Sequence, residues 1–126
     1  MARNKPNEDG ERGVIVFVSS IVAEEGTAEH SIYASTKGAL NSMALPMARD
    51  LGRYGIRVVT QAPGTFDTKR RYLKEDFKEK MLEQTPLRRY GHVRESAHSV
   101  KMIIENSYIN GAIIKVDGGM KVPLML

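Results

Sequence analysis

The sequence contains no cysteine and no tryptophan, and only 6% of its 126 residues are aromatic. The absence of cysteine excludes disulfide scaffolds, cysteine-ligated zinc, iron–sulfur clusters and thiol nucleophiles. No stretch approaches the run of roughly 18 apolar residues that a membrane-spanning helix needs. Residues 1–13 are polar and include acids, which fits neither a secretory signal nor an acid-poor transit peptide. We therefore expect a reducing compartment, either the cytoplasm or the mitochondrial matrix, with no targeting signal and no membrane contact.

What is present fits one globular domain, with 41% hydrophobic and 27% charged residues. The formal net charge is +4, and most of the excess lies in residues 69–80. This basic cluster could meet phosphate groups, or it could be the solvated face of a helix with mixed charge. With so small a net charge and no recognisable nucleic-acid-binding module, we expect no nucleic-acid partner.

Three short apolar runs predict β-strands, over residues 13–19, 56–61 and 111–116. Near-continuous apolar runs of this kind are typical of parallel strands that are buried on both faces. The turn-forming sequence Asp117-Gly118-Gly119 ends the last run.

Residues 31–54 carry a helical pattern between the first two runs. Its members recur at three- and four-residue steps: Tyr33, Lys37, Leu40, Ala44, Met47 and Leu51. We expect Ser31 as the N-cap, Gly55 as a left-handed residue beyond the end, and a bend rather than an end at Pro46.

Two further helices are predicted, over residues 72–83 and 93–106. The second is expected to turn Ala97, Val100, Ile103 and Ile104 inward. The order of elements predicts an α/β unit with a parallel sheet.

Tyr33 and Lys37 are four residues apart, so their side chains share one helix face, with Cβ atoms about 5–6 Å apart. A unit charge about 4 Å from the phenol, at an effective dielectric constant of about 20, favours the phenolate by roughly 4 kcal/mol. Lys37 would therefore suffice to activate Tyr33 as an acid/base. The spacing also fits a half-buried tyrosine with the lysine stem packed beside it.

Two other features converge on the same edge of the predicted sheet. Ser20 follows the first strand, and open α/β sheets bind ligands at the carboxyl ends of their strands. Its hydroxyl could hold a substrate carbonyl, or it could simply hydrogen-bond its own backbone. Pro63-Gly64 ends the second strand, where the missing Cβ lets the backbone approach a ligand closely. His30, His92 and His98 have no metal-like spacing, and no metal site is predicted.

Together these residues resemble a known family. Ser20, the Tyr33/Lys37 pair, Pro63-Gly64 with Thr68, and residues 116–119 are similar to the C-terminal half of a short-chain dehydrogenase/reductase. Finer matches resemble the type II 3-hydroxyacyl-CoA dehydrogenase branch, which is like 17β-hydroxysteroid dehydrogenase type 10. They are residues 45–51, 55–58, 62–66, 103–106 and 110–111, and the resemblance covers about residues 10–122.

The resemblance implies a role for each matching residue. Tyr33 would be the general acid/base, Lys37 would assist it and bind the nicotinamide ribose, and Ser20 would position and polarise the substrate oxygen. The implied cofactor contacts are Tyr33, Lys37, Pro63, Gly64, Thr65, Phe66 and Thr68. The cofactor would be NAD, with NADP as the alternative, and the substrate a secondary alcohol such as a 3-hydroxyacyl-CoA or a hydroxysteroid. Lys69, Arg70 and Arg71 would be placed to meet coenzyme A phosphates.

The resemblance also implies what to expect of the fold. We expect the C-terminal half of a Rossmann-like, doubly wound sheet, with three strands, about three helices and the N-terminal cofactor half absent. Residues 1–12 would be a polar lead-in, and residues 13–126 the catalytic half. The family's glycine-rich turn, its acidic residue and its catalytic Asn have no counterpart here. Smaller departures are Phe17, Gln61 and His92.

Two functions follow from this expectation. One is an oxidoreductase that is incomplete as an isolated chain and has little activity alone, in a family that usually forms homotetramers. The other is a non-catalytic fragment that self-associates or pairs with other subunits, because its first strand would present a bare apolar edge.

Overall fold

The structure is a computed structural model that describes residues 1–68 and 75–121. The elements are β1 (Gly13–Val18), α1 (Val22–Glu25), α2 (Ser31–Gly52), β2 (Ile56–Pro63), α3 (Glu75–Glu83), α4 (Val93–Glu105) and β3 (Ile113–Val116). The strands form one parallel sheet in the order β1-β2-β3. The predicted α/β fold with three parallel strands is confirmed, and α1 is a short helix that the sequence pattern did not predict.

Burial differs sharply between the strands. β2 is buried along almost its whole length, as predicted. The same prediction is wrong for β1 and β3, where Val18 is 49% and Ile113 37% exposed. Each of these strands has a single neighbour in the sheet that the structure describes, so its outer side is not covered. The active-site candidates therefore lie at the end of an edge strand and a central one.

Helix α2 packs on one face of the sheet. Its small residues Ala44 and Ala48 lie against Val58 in the core, with Phe17 packed at the margin. Ile15, Met47 and Leu51 complete this cluster. Phe17, a departure from the family pattern, is thus an ordinary core residue.

Helix α4 covers the opposite face, towards which Arg57 and Gln61 alternate along β2. The predicted inward stripe is partly wrong: Ile103 is fully buried, but Ala97 is exposed and Ile104 is 51% exposed. Compared with the predicted stripe, α4 turns Ser96 and Ser99 towards the sheet. Gln61 Nε2 donates to the carbonyl and hydroxyl of Ser96, at 2.9 and 3.1 Å, and to the buried Ser99. Polar partners in the core therefore set which side of α4 faces inward.

The ends of the helices follow local chemistry. Ser31 is the first residue of α2 rather than its cap, since His30 stands at the N-cap position without a side-chain capping bond. The helix runs on through Pro46, and Gly55 is left-handed as predicted, with φ of 68°. In α4, His92 is the N-cap residue. The start of the predicted helix over 72–83 lies outside the described residues. No helix among those described is long and apolar enough to span a membrane.

Candidate active site

The carboxyl end of β1 is joined to α2 by two hydrogen bonds. The Ser19 hydroxyl donates to the carbonyl oxygen of Lys37 at 3.0 Å. In the other direction, Lys37 Nζ donates to the carbonyl oxygen of Val18 at 2.9 Å. The two serines after β1 thus differ in their contacts, because the Ser19 hydroxyl hydrogen-bonds α2 and the Ser20 hydroxyl does not.

The Lys37 ammonium lies 5.8 Å from the centroid of the Tyr33 ring, within the range of a cation–π interaction. The helical spacing therefore does bring the cation and the phenol side by side. The Tyr33 residue is 44% exposed, so part of its side chain is open to solvent or a ligand. His30 approaches the same ring edge-on, with the centroids 6.3 Å apart. A phenol beside a cation and open to the outside is suited to proton exchange.

Ser20 is 8% exposed and follows the carbonyl that holds Lys37 by two residues. Its Oγ accepts a hydrogen bond from the Val22 amide at 3.3 Å, which starts α1. This is the backbone bond that the alternative interpretation foresaw. It does not occupy the hydroxyl proton, which a serine oxygen can still donate.

The end of β2 is fixed to both neighbouring segments. The Pro63 carbonyl accepts from the Ile21 amide at 3.2 Å, and the Gly64 amide donates to the Val116 carbonyl at 3.0 Å. A Cβ at Gly64 would lie 2.8 Å from Cα and Cβ of Asp117. The space that this glycine leaves is thus filled by Asp117, so packing within the chain already demands glycine there.

The remaining predicted cofactor residues in the described ranges are bonded to other parts of the chain. Thr65 Oγ1 donates to Met120 Sδ at 3.5 Å, and the Thr68 amide donates to the Phe66 carbonyl at 2.8 Å. Phe66 pairs with Gly91, which precedes α4. Lys69, Arg70 and Arg71 lie outside the described residues.

Two ion pairs that the sequence pattern did not reveal hold α1 against the C-terminal side of the sheet. Lys115 pairs with Glu24 at 2.5 Å, and Lys121 pairs with Glu25 at 2.7 Å. The hydrogen bond and charge of Glu24 raise the pKa of Lys115 above its usual value. The only sequence signal was the pair of adjacent acids after an apolar Ile21-Val22. These bonds restrain the segment that carries Ser20.

Two cavities of the described residues lie away from this edge. A cavity of about 120 Å³ opens at the opposite end of β2, beside Arg57, and a groove of about 460 Å³ lies on α4 around Met102. Neither is lined by Ser20, Tyr33 or Lys37. Within residues 1–68 and 75–121, no group of three or more His, Asp or Glu side chains could hold a metal ion.

The donor set at the edge nevertheless fits part of a nicotinamide cofactor. An ammonium, a phenol and hydroxyls can hydrogen-bond the hydroxyls of a ribose and the amide of a nicotinamide. Pyrophosphate is usually bound by a glycine-rich turn at a helix N-terminus. The helices that follow β1 and β2 in the described ranges begin at Val22, Ser31 and Glu75, and none begins with a glycine-rich turn. The residues present thus suit the nicotinamide riboside end.

Comparison with known proteins identifies the class. The chain matches the family model described as Enoyl-(Acyl carrier protein) reductase over residues 2–121. It is 42% identical over 123 residues to 3-hydroxyacyl-CoA dehydrogenase type-2 of Mus musculus, covering 96% of this chain and 47% of that protein. To 3-oxoacyl-[acyl-carrier-protein] reductase of Homo sapiens it is 38% identical over 113 residues, covering 89% of this chain and 46% of that protein.

A solved structure agrees. The crystal structure of 3-hydroxyacyl-CoA dehydrogenase type-2 from Mycobacterium avium matches with a TM-score of 0.89 and 35% identity, over 97% of this chain and 48% of that one. The chain belongs to the short-chain dehydrogenase/reductase family of oxidoreductases. It spans about half the length of the curated relatives that it matches. The predicted family resemblance is confirmed.

Proposed function

We propose that this chain carries the acid/base half of an NAD-dependent dehydrogenase that oxidises a secondary alcohol to a ketone. Tyr33 takes the hydroxyl proton, Lys37 favours its phenolate, and Ser20 donates a hydrogen bond to the substrate oxygen. The observation that supports this most is the position of the Lys37 ammonium, between the Val18 carbonyl and the Tyr33 ring.

The proposed chemistry follows from the groups at the edge. A phenolate beside a fixed ammonium is stabilised by its charge, and oxidation of the alcohol returns a proton to that phenolate. The donated bond from Ser20 orients the substrate oxygen towards Tyr33. The nicotinamide ring supplies the hydride acceptor when bound, held by Lys37 and by the backbone and side chains of residues 63–66 and 68.

The substrate class and cofactor are proposed from the relatives. The names of these relatives refer to 3-hydroxyacyl-CoA and to 3-oxoacyl groups, which supports a 3-hydroxyacyl thioester as substrate. A hydroxysteroid-like alcohol is the second substrate to test. NAD is proposed over NADP because of the same family branch.

An assay tests this proposal in two arms. The purified chain is incubated with NAD and 3-hydroxybutyryl-CoA, and NADH is followed at its absorbance band. We expect little turnover, because most of the affinity for the cofactor comes from pyrophosphate contacts. In the second arm, the part of human 3-hydroxyacyl-CoA dehydrogenase type-2 that precedes the matched region is fused to this chain. This fusion should oxidise the substrate with NAD, and a fusion that folds without turnover contradicts the proposal.

Edge-strand geometry favours a second function, association with another chain. β1 is an edge strand of the described sheet, and its last residue, Val18, is half exposed. Unpaired strand edges are templates for pairing with another chain. We expect light scattering to show homo-oligomers, and Val18→Lys to shift them towards monomers. A monodisperse monomer of the unaltered chain argues against this second function.

A further inference from the structure

Gly91 closes a long excursion of the chain between β2 and α4. Its amide donates to the Thr65 carbonyl at 3.0 Å, and its carbonyl accepts from the Asp67 amide at 2.8 Å. Gly91 and Phe66 thereby form a parallel bridge, 25 positions apart in the sequence. The bridge joins the proposed cofactor loop, residues 64–68, to the start of α4.

Glycine is required at position 91 because of a neighbouring side chain, and not because of its backbone conformation. Gly91 is not among the residues with a positive φ. A Cβ there would lie 2.6 Å from Cε1, 2.7 Å from Cδ1 and 3.2 Å from Cζ of the Phe66 ring. Such separations are well inside van der Waals contact. Any other residue therefore forces either the ring or the backbone at position 91 to move.

The backbone at position 91 is the less yielding of the two. On its amino side, Arg89 forms a two-bond ion pair with Glu95, at 2.7 and 2.8 Å. On its carboxyl side, the His92 amide donates to the Glu95 carboxylate at 2.7 Å. One carboxylate of α4 thus restrains both flanks of Gly91, so we expect the Phe66 ring to give way.

Movement of that ring is transmitted to the cofactor loop. The Phe66 carbonyl accepts from the Thr68 amide, and the loop is anchored at its start by the bond between Gly64 and Val116. We propose that Gly91 is a positioning residue that sets the nicotinamide side of the site through the ring of Phe66. This inference rests on the proposed function for its ligand, although not for its geometry.

The geometry is tested first, on the whole chain without a ligand. Gly91→Ala is compared with Gly52→Ala, whose new Cβ would have no atom within 4 Å apart from its chain neighbours and the backbone of its own helix. In ¹H–¹⁵N NMR spectra, Gly91→Ala should change the chemical shifts of the amide resonances of Gly64, Thr65 and Thr68. Gly52→Ala should leave these chemical shifts unchanged. Phe66→Ala removes the ring atoms of the clash, so the double variant should match Phe66→Ala alone at these amides. If the chemical shift changes at these amides in Gly91→Ala are no larger than those in Gly52→Ala, the inference is overturned.

Binding is tested second, by titrating NAD into the fusion enzyme of the proposed function, with and without Gly91→Ala. We expect the Kd for NAD to rise at least about fivefold in Gly91→Ala, with the Kd for 3-hydroxybutyryl-CoA unchanged. An unchanged Kd for NAD overturns the role of Gly91 in positioning. If the unaltered fusion enzyme binds no NAD while the amide resonances of the chain still move, the cofactor of the proposed function is wrong and the contact between Gly91 and Phe66 stands.

Discussion

The Lys37 ammonium donates a hydrogen bond to the carbonyl oxygen of Val18, with 2.9 Å between Nζ and O, although the two residues are 19 positions apart in the sequence. This bond places a positive charge at the carboxyl end of an edge strand, on the side of α2 that carries Tyr33. Since a backbone carbonyl is present whatever the side chain, the anchor depends on the path of β1 and not on the identity of residue 18. The lysine is therefore both a support of the fold and the proposed partner of the phenol.

Lys37→Met should lower the free energy of unfolding by about 1 kcal/mol, the usual net value of one hydrogen bond, because the bond lies at the surface. Urea denaturation measures the loss. Lys101→Met is the control, since Lys101 is an exposed lysine paired with Glu105 and should cost at most about 0.5 kcal/mol. Equal stability of the two variants would show that the Val18 bond contributes nothing to the fold.

Tyr33→Phe should reduce kcat of the fusion enzyme by about 10²- to 10⁴-fold, the range of a general acid/base, while leaving its unfolding midpoint unchanged. The stability is spared because the ring is 44% exposed. The matched control is Tyr54→Phe near the other end of α2, with a 43% exposed tyrosine. Full activity of the Tyr33→Phe fusion would rule out this residue as the acid/base.

The sequence alone predicted the elements whose signals are local. The apolar runs and the three- and four-residue steps reflect the two side-chain periods of strands and helices, so β2 and α2 were found nearly to the residue. The pair Tyr33 and Lys37 was predictable for the same reason, since one helical turn separates them. The exposure of β1 and β3 was not predictable, because it depends on how many neighbouring strands each one has in the sheet.

Contacts between distant segments had no such signal. Gln61 stood out as a polar residue in an apolar strand, but its partners Ser96 and Ser99 lie on α4 and become neighbours only after folding. The demand for glycine at position 91 comes likewise from the ring of Phe66. The identity of a single residue does not show which distant residue it will contact in the folded protein.

Gln61→Ala should destabilise the protein by about 2–4 kcal/mol, because it leaves a cavity and removes the amide that donates to α4. Gln61→Met fills the volume without the amide and should cost less, since Ser99 still donates to the Ser96 carbonyl at 2.8 Å. Urea unfolding of both variants measures the difference. If Gln61→Met costs as much as Gln61→Ala, the hydrogen bonds outweigh the packing.

Arg57→Met should destabilise the protein more than Gln61→Ala does. We expect it to lower the free energy of unfolding by about 3–5 kcal/mol. The guanidinium is buried, forms a two-bond ion pair with Glu11 at 2.8 and 3.1 Å, and donates to the carbonyls of Ile103, Ile104 and Ile109. All five N–H groups are thus used, and removal leaves Glu11 without its cation. Arg53→Met is the control, because Arg53 stacks on Tyr54 at the surface and should cost about 0.5–1 kcal/mol. Chemical unfolding of the two variants tests the ranking, and similar losses would contradict it.

The ion pair between Glu95 and Arg89 should make stability depend on pH in acid. The Arg89 side chain, followed by the His92 amide, lowers the pKa of Glu95 to about 2 from its ordinary 4.5. A carboxyl whose pKa is lower in the folded state stabilises the protein above its unfolded pKa, and that contribution is lost as pH falls through the folded value. Urea midpoints of the unaltered chain and of Glu95→Gln should therefore differ most above about pH 5 and converge towards pH 2. A gap between the unaltered chain and Glu95→Gln that stays constant from pH 6 to pH 2 would show that the carboxylate charge does not carry the stabilisation.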